Sequence, residues 1–328
     1  MKESPQRNLA LDLVRVTEAA ALAASRWLGR GDKEKGDQAA VDAMRISFEA
    51  VDIDGIVVIG EGEKDKAPML YNGEQVGSGR GPKMDVAVDP VEGTRLLAQG
   101  RPNAISVVAL SPRGTMFNPG PCFYMKKLVV PKEAKGKVDL NAPVEDNLKN
   151  VARALGKDVD DLVVFVLDKP RHKGLIEAIR KAGARIQLHT DGDVAGALMA
   201  VMPETGVDVM MGTGGTPEGV LAASAIRIMG GEMLGQLDPQ SEAEKQAVLD
   251  AGYDLTEVLT TEDLIKSDDI FMAATGISGG TFLGGVEFTG KGAKTFSMVL
   301  RGKTGTLRYI EAHHSFEKLM KISSINYD

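Results

Sequence analysis

Apolar residues recur at helical spacing near the start of the chain. Over residues 8–28 they lie three or four positions apart, which places them on one face of an α-helix. The helix is predicted to end at Gly29, because glycine commonly follows the last helical residue. A second helix is predicted from about Asp37 to Val51, with its apolar positions between Ala40 and Phe48.

Short apolar runs predict strands in the next part of the chain. Residues 55–60 and 84–88 have the composition of buried strands, and residues 104–110 and 123–130 are predicted as further strands. The first half of the chain therefore combines helices with strands.

Strands and helices alternate more regularly in the second half. The expected elements are a strand at 162–167, a helix at 172–183, a strand at 184–188, a helix at about 194–201 and a strand at 207–211. This alternation is typical of βαβ units with parallel strands.

The change of pattern indicates two domains with a boundary near Asp160. We expect an N-terminal α+β domain over residues 1–160 and a C-terminal α/β domain over residues 161–328. The last stretch resembles a hairpin, with strands at 294–301 and 304–312. Its pattern does not say on which domain the hairpin packs.

Composition narrows the class of protein. With 43% hydrophobic and 26% charged residues, the 328-residue chain is typical of a soluble globular protein. No apolar stretch is long enough for a membrane span, and no secretory signal is visible at the N-terminus. The single cysteine, Cys122, excludes an intramolecular disulfide. A net charge of −7 argues against non-specific nucleic-acid binding, and we expect a cytoplasmic protein.

Acidic residues stand next to glycines at four places where a strand ends or a helix begins. These places are Gly36-Asp37, Gly60-Glu61-Gly62-Glu63, Asp89-Pro90-Val91-Glu92-Gly93-Thr94 and Gly214-Gly215-Thr216-Pro217-Glu218-Gly219. Acids at the carboxyl ends of separate strands can converge on one point, and hard divalent cations prefer carboxylate oxygens. Two such cations can activate a water molecule and neutralise a leaving oxygen.

The Asp-Pro motif suits this chemistry in detail. Pro90 fixes one backbone angle and turns the chain, so that Asp89 and Glu92 can face the same cation. Thr94 would then point its hydroxyl at the same centre. A helix starting here would also direct amide groups at the site, which favours a phosphate.

Each part of this pattern also has a simpler interpretation. Any one acid after a strand can be a helix cap or a solvated loop residue. Residues 212–215 can be no more than a tight turn. They also resemble a nucleotide-binding loop weakly, although no Gly-Lys-Ser/Thr follows them. The combination is more specific than its parts.

The Asp89–Thr94 motif resembles the Asp-Pro-(Ile/Val)-(Asp/Glu)-Gly-Thr motif of the lithium-sensitive, metal-dependent sugar phosphatase superfamily, which includes inositol monophosphatases and fructose-1,6-bisphosphatases. Within it, the chain resembles the class II bacterial fructose-1,6-bisphosphatases over nearly its whole length. The other motifs that carry this resemblance lie at residues 29–33, 58–63, 67–71, 169–172, 191–194 and 214–219. The resemblance implies an α/β fold, a two-domain layered α-β-α-β-α sandwich with the active site between the domains.

The resemblance also implies roles for individual residues. The implied metal is Mn²⁺ in preference to Mg²⁺, and its implied ligands are Asp37, Glu61, Asp89, Glu92 and Glu218. Thr94 would orient or deprotonate the attacking water, and Asp37 and Glu61 would share in catalysis. The implied substrate contacts are Glu92, Gly93, Thr94, Tyr124, Lys169, Pro170, Arg171, Asp191, Gly192, Asp193 and Gly215. Arg95 stands where many superfamily members have a second threonine.

Local sequence alone leaves the substrate contacts in the second half open. Lys169 and Arg171 suit a phosphate as point charge and planar fork, but they can also belong to a solvated loop. Asp191 and Asp193 can accept bonds from sugar hydroxyls, cap a helix, or do both.

The implied reaction is hydrolysis of D-fructose 1,6-bisphosphate to fructose 6-phosphate and phosphate, as in gluconeogenesis. Alternatives are a phosphatase that also accepts sedoheptulose 1,7-bisphosphate, an inositol phosphatase, a non-catalytic sugar-phosphate sensor and a nucleotide-binding protein. The intact acidic set argues against a sensor, which has no need of it. We expect a small sugar bisphosphate as the partner, no nucleic acid or membrane, and a homo-oligomer, either a dimer or a tetramer.

Overall fold

The computed structural model of the chain describes residues 7–62, 69–321 and 325. Its helices are α1 (Leu9–Ser25), α2 (Lys33–Phe48), α3 (Thr94–Gln99), α4 (Val144–Leu155), α5 (Lys173–Ala182), α6 (Asp193–Val201), α7 (Thr216–Met229), α8 (Glu242–Asp250), α9 (Thr261–Leu264) and α10 (Phe316–Leu319). Its strands are β1 (Asp54–Ile59), β2 (Gln75–Val76), β3 (Lys83–Glu92), β4 (Ile105–Pro112), β5 (Tyr124–Val130), β6 (Val163–Leu167), β7 (Arg185–His189), β8 (Val209–Gly215), β9 (Glu232–Leu237), β10 (Phe271–Gly276), β11 (Glu287–Thr289), β12 (Gly292–Arg301) and β13 (Thr306–Ser315).

The first sheet has the strand order β11-β12-β10-β4-β3-β1-β2, and β13 pairs with β12. The predicted C-terminal hairpin is therefore confirmed as β12 and β13, and it packs into this first sheet through β10. Helices α1 and α2 cover one face, where residues such as Leu13 and Phe48 share a buried cluster with Val86 and Val108.

The second sheet has the order β7-β6-β8-β5-β9. Its β6, β7 and β8 are parallel, as the βαβ pattern predicts, whereas β5 pairs antiparallel with both β8 and β9. Helices α4 and α5 pack on its outer face. Helices α6 and α7 contact strands of both sheets and form the middle layer. The expected α-β-α-β-α layering is confirmed.

The sheets do not divide the chain at residue 160. β5, from the first half, lies inside the second sheet, and β10 to β13, from the second half, complete the first sheet. The expected boundary near Asp160 therefore does not match the division of strands, because the chain passes from the first sheet to the second and back again.

Two helix ends differ from those predicted. α1 ends at Ser25, before a turn that leads to Gly29. α2 begins at Lys33, four residues before Asp37, because the side chain of Asp32 caps it by accepting a hydrogen bond from the Lys35 amide at 3.1 Å. Asp37 therefore lies within α2 and not at its start.

β3 continues through the Asp-Pro motif instead of ending before it. Asp89 is opposite Val107 and Glu92 is opposite Ile105. The chain therefore advances three residues along β3 where it advances two along β4. This extra residue is a β-bulge, which is one of the few places where a sheet accepts proline. Pro90 thus lies in a bulge and not in the turn that the sequence suggested.

No helix in the described ranges has both the length and the apolar character that crossing a bilayer requires.

Candidate active site

The five predicted acidic ligands line one cavity of about 500 Å³. Asp37 comes from α2, Glu61 follows β1, Asp89 and Glu92 lie on the bulged end of β3, and Glu218 lies in the first turn of α7. Gly93, Thr94 and Asp191 line the same cavity. The structure therefore brings together residues that lie as far as 181 positions apart in the sequence.

Glycines make room for the acidic side chains. A Cβ at Gly215 would overlap the carboxylate of Glu218, and a Cβ at Gly214 would overlap that of Asp193. Gly93, with a φ of 93°, adopts the left-handed conformation between the bulge and α3, which favours glycine. The glycine-rich segment before α7 thus serves to place two carboxylates.

Glu92 joins the two halves of the site. Its Oε1 accepts a hydrogen bond of 2.6 Å from the amide of Val194, in the first turn of α6. The N-cap position of α6 is Gly192, which makes no side-chain cap bond. Neither Asp191 nor Asp193 caps this helix with its side chain, because the carboxylate of Glu92 binds the helix terminus from the other sheet.

Burial raises the pKa of every acid in the cluster. The pKa of Asp37 rises to about 6 through burial, and that of Glu61 to about 8 through burial and the nearby charges of Asp37 and Glu218. Burial followed by neighbouring carboxylates holds the pKa values of Asp89 and Glu92 well above their usual range. Burial also raises the pKa of Glu218. Buried carboxylates that repel one another are relieved by protons or by a cation.

The donor set fits a hard divalent cation. It contains only carboxylate oxygens, and the buried Glu218 Oε2 has no hydrogen-bond partner in the described part of the chain. In residues 7–62, 69–321 and 325, no three acidic, histidine or cysteine side chains already surround a single point. The five carboxylates nevertheless line one common space.

The predicted phosphate-binding cations lie beside the main cavity, and neither is part of its lining. Lys169 donates from Nζ to the Thr190 carbonyl at 2.6 Å, next to cavity-lining Asp191. Arg171 donates from Nε to the Thr213 carbonyl at 2.9 Å and borders a second cavity of about 190 Å³. Pro170 begins the short helical turn between the two cations.

Two other residues, Tyr124 and Arg95, lie near Lys169 and Arg171, and the three cations Lys169, Arg171 and Arg95 are called the cationic edge. The guanidinium of Arg171 lies 4.9 Å from the ring centroid of Tyr124. Burial lowers the pKa of Lys169, and the charges of Arg95 and Arg171 lower it further. Arg95 is exposed on α3, so a positive edge of three side chains borders the acidic cavity.

His172 anchors this edge to the second sheet, a role that the sequence did not reveal. The buried ring accepts the Thr213 amide at Nε2 (2.7 Å), and Nδ1 lies 2.6 Å from the Leu167 carbonyl. Nδ1 must therefore carry the proton, which makes the ring neutral, and burial lowers the pKa of His172. The sequence around His172 did not indicate that its ring would bond to two backbone groups.

Lys127 is the second residue that the sequence analysis missed. It forms a buried ion pair with Asp193 and donates to the Gly215 carbonyl at 2.6 Å. A signal was present, since Lys127 shares with Met125 and Val129 the strand face that is buried. Residues 119–123, with Cys122 and the exposed ring of Phe123, form another unpredicted part of the cavity wall. Glu63, Ala67 and Pro68 lie outside the described residues.

Comparison with known proteins gives consistent matches. Residues 7–314 match the family model described as bacterial fructose-1,6-bisphosphatase, glpX-encoded. The chain is 46% identical over 332 residues to fructose-1,6-bisphosphatase class 2 of Haemophilus influenzae, covering 97% of this chain and 99% of the relative. It is 45% identical over 326 residues to fructose-1,6-bisphosphatase 1 class 2 of Escherichia coli strain K12, covering 95% and 97%.

Proposed function

The chain belongs to the glpX-encoded bacterial fructose-1,6-bisphosphatases, and we propose that it hydrolyses D-fructose 1,6-bisphosphate to fructose 6-phosphate and phosphate, a reaction of gluconeogenesis. The observation that best supports this is the common cavity of Asp37, Glu61, Asp89, Glu92 and Glu218, with Thr94 on its wall.

The five acids would hold divalent cations, Mn²⁺ or Mg²⁺. When bound, such cations would supply the positive charge that binds phosphate oxygens and makes a water molecule more acidic. The acids are supported in this role by their burial, by their raised pKa values and by the unpaired Glu218 Oε2. The hydrogen bond from the Val194 amide to Glu92 would hold the bulge against α6.

The chain's own groups would position the reactants. Thr94 would orient the attacking water with its hydroxyl, and Asp37 or Glu61 would accept the proton that the water releases. Gly93 and Asp191 line the cavity where the reacting phosphate and the sugar would lie. No side chain in the described cavity wall has the surroundings of a covalent nucleophile, since burial raises the pKa of the Cys122 thiol.

A substrate panel tests the assignment. Phosphate release should be measured with Mn²⁺ for fructose 1,6-bisphosphate, sedoheptulose 1,7-bisphosphate, an inositol monophosphate and a nucleoside triphosphate. We expect fructose 1,6-bisphosphate to have the highest kcat/KM, because the acidic cavity and the cationic edge together match a substrate with two phosphates. A higher value for the inositol monophosphate or the nucleotide would contradict the proposal.

We also propose that Lys169 and Arg171 bind the phosphate that does not react. Their loop borders the turn that carries Asp191. The bond of Arg171 to the Thr213 carbonyl uses Nε, so its Nη groups can donate to a phosphate. The other proposed substrate contacts in this region are Tyr124, Pro170, Gly192, Asp193 and Gly215.

Replacing Arg171 by alanine should weaken the bisphosphate selectively. We expect kcat/KM for fructose 1,6-bisphosphate to fall by a factor that corresponds to a loss of about 1.5–3 kcal/mol of transition-state stabilisation, the value of a lost charge-assisted bond. Fructose 1-phosphate, which lacks the distal group, should be a poor substrate of the unmodified enzyme and lose little more. Arg180→Ala, an exposed arginine at the far end of α5, is the matched control. Equal losses on both substrates would show that Arg171 does not contact the distal phosphate.

A further inference from the structure

Lys127 carries its charge into the interior behind the acidic cavity. It lies on β5, between β8 and β9, and its side chain is only 1% exposed. Its neighbour Lys126 points to the outer face and donates to the Leu140 carbonyl at 2.9 Å. Of the lysines and arginines in the described ranges, only Lys127 and Arg301 are buried.

The partners of Lys127 belong to two separate turns of the site. Asp193, its ion-pair partner, is the first residue of α6 and follows cavity-lining Asp191 by two positions. Gly215, whose carbonyl accepts the other bond, precedes α7 and Glu218. One ammonium group therefore fastens together the two turns that approach the cavity from the second sheet.

The surrounding atoms leave Asp193 a narrow space. The absence of a side chain at Gly214 gives room for its carboxylate, which lies between β8 and the ammonium. Its Oδ2 meets Lys127, whereas its Oδ1 is buried with no hydrogen-bond partner among the described residues. A buried polar atom without a partner is costly, so the Asp193 carboxylate depends on the ammonium of Lys127 for compensation.

Stability alone is a weak reason for this arrangement. A buried ion pair often contributes little net stability, because the cost of removing two charges from water offsets their attraction. What the pair does fix is position, since the ammonium holds a carboxylate and a carbonyl from different elements at one point.

We propose that Lys127 is a positioning residue for substrate binding, which acts by holding the turn of Asp191 and Asp193 against the turn of Gly215 that precedes Glu218. This rests on the proposed function and deepens it, because it assigns Asp193 and Lys127 to one unit. Lys127 itself does not touch the substrate in this arrangement.

A double-mutant cycle tests the unit. Lys127→Met keeps the length of the side chain and removes its charge, Asp193→Asn removes the partner charge, and Lys126→Met on the other face of β5 is the control. KM and kcat for fructose 1,6-bisphosphate, Mn²⁺ binding by calorimetry and the melting temperature should be measured for each variant.

We expect Lys127→Met to raise KM about tenfold or more, the scale of a misplaced binding group, with a smaller change in kcat and unchanged Mn²⁺ binding. Asp193→Asn should raise KM similarly, and the double variant should lose no more than the worse single variant. Lys126→Met should keep its KM within about twofold. The double variant should also melt at a higher temperature than Lys127→Met, because no charge is left unpaired.

Three results would overturn the inference. They are a KM unchanged by Lys127→Met, additive effects in the cycle, and a loss of Mn²⁺ binding in place of substrate affinity. If Lys127→Met does not fold, Asp193→Asn and the double variant are compared instead. The inference predicts equal KM values for these two variants, and a higher KM for the double variant would contradict it. Absence of activity in the unmodified enzyme would instead refute the proposed function.

Discussion

Exhaustive chelation is expected to abolish phosphate release, and Mn²⁺ or Mg²⁺ should restore it. The reason is that the five acids of the cavity are buried, repel one another and offer only oxygen donors. No described residue that lines the cavity is a lysine or arginine, so without bound cations the five carboxylates would repel a phosphate. Phosphate release before and after chelation and readdition is the measurement.

The metal-free protein provides a readout that does not depend on activity. In the unfolded chain Asp37 and Glu61 lose their protons near their ordinary pKa values of 3.8 and 4.5, whereas in the folded protein they keep them until about 6 and about 8. Their contribution to stability is therefore full at low pH and is lost as the pH rises through the folded values. Between about pH 6 and 8 the loss is on the order of 2 kcal/mol, which lowers the melting temperature by a few degrees.

Divalent cations should reverse this trend, because they bind the ionised carboxylates of the folded state. Mn²⁺ should raise the melting temperature more at about pH 8 than at about pH 6. Glu61→Gln, which lacks the group with the raised pKa of about 8, should show a flatter pH dependence without metal and no activity with it. Full activity after complete removal of metal would reject the mechanism.

The acidic cluster could be predicted because its chemistry is local in sequence. Asp37, Glu61, Glu92 and Glu218 each stand beside a glycine, and Asp89 lies three positions before Glu92 in the same motif. The sequence placed Asp37 at the start of a helix, whereas the structure places it inside α2, and only the family resemblance implied that it is a metal ligand. Convergence itself is a property of the tertiary fold.

Other features could not be predicted because they depend on contacts distant in sequence. Pro90 indicated a turn, but pairing with β4 makes it a bulge within a strand. The division of strands between sheets was missed because β10, whose neighbours β4 and β12 decide its place, lies more than 100 residues after residue 160. Lys127 meets Asp193, 66 positions away, only in the folded chain.

Thr94 is the residue whose loss should most reduce turnover without disturbing the metal ligands. It begins α3 directly after the bulge that carries Asp89 and Glu92, and its half-buried side chain lines the cavity. Within the part of the chain that the structure describes, its hydroxyl has no hydrogen-bond partner that would give it a purely structural role. A neutral hydroxyl beside five carboxylates suits the orientation of water better than the binding of a cation as a charge.

Thr94→Ala should therefore lower kcat by roughly 10²–10⁴, the contribution of a positioned proton-transfer group. KM and Mn²⁺ binding should change little, and so should the melting temperature, because the substitution removes no buried bond and alanine favours a helix. Thr94→Ser is the matched control, since it keeps the hydroxyl and should keep most of the turnover. Because the hydroxyl, and not the methyl group, is assigned the role, a serine variant as slow as the alanine variant would point to packing. An alanine variant with unchanged kcat would show that another group, with Asp37 and Glu61 the nearest candidates on the cavity wall, orients the water unaided.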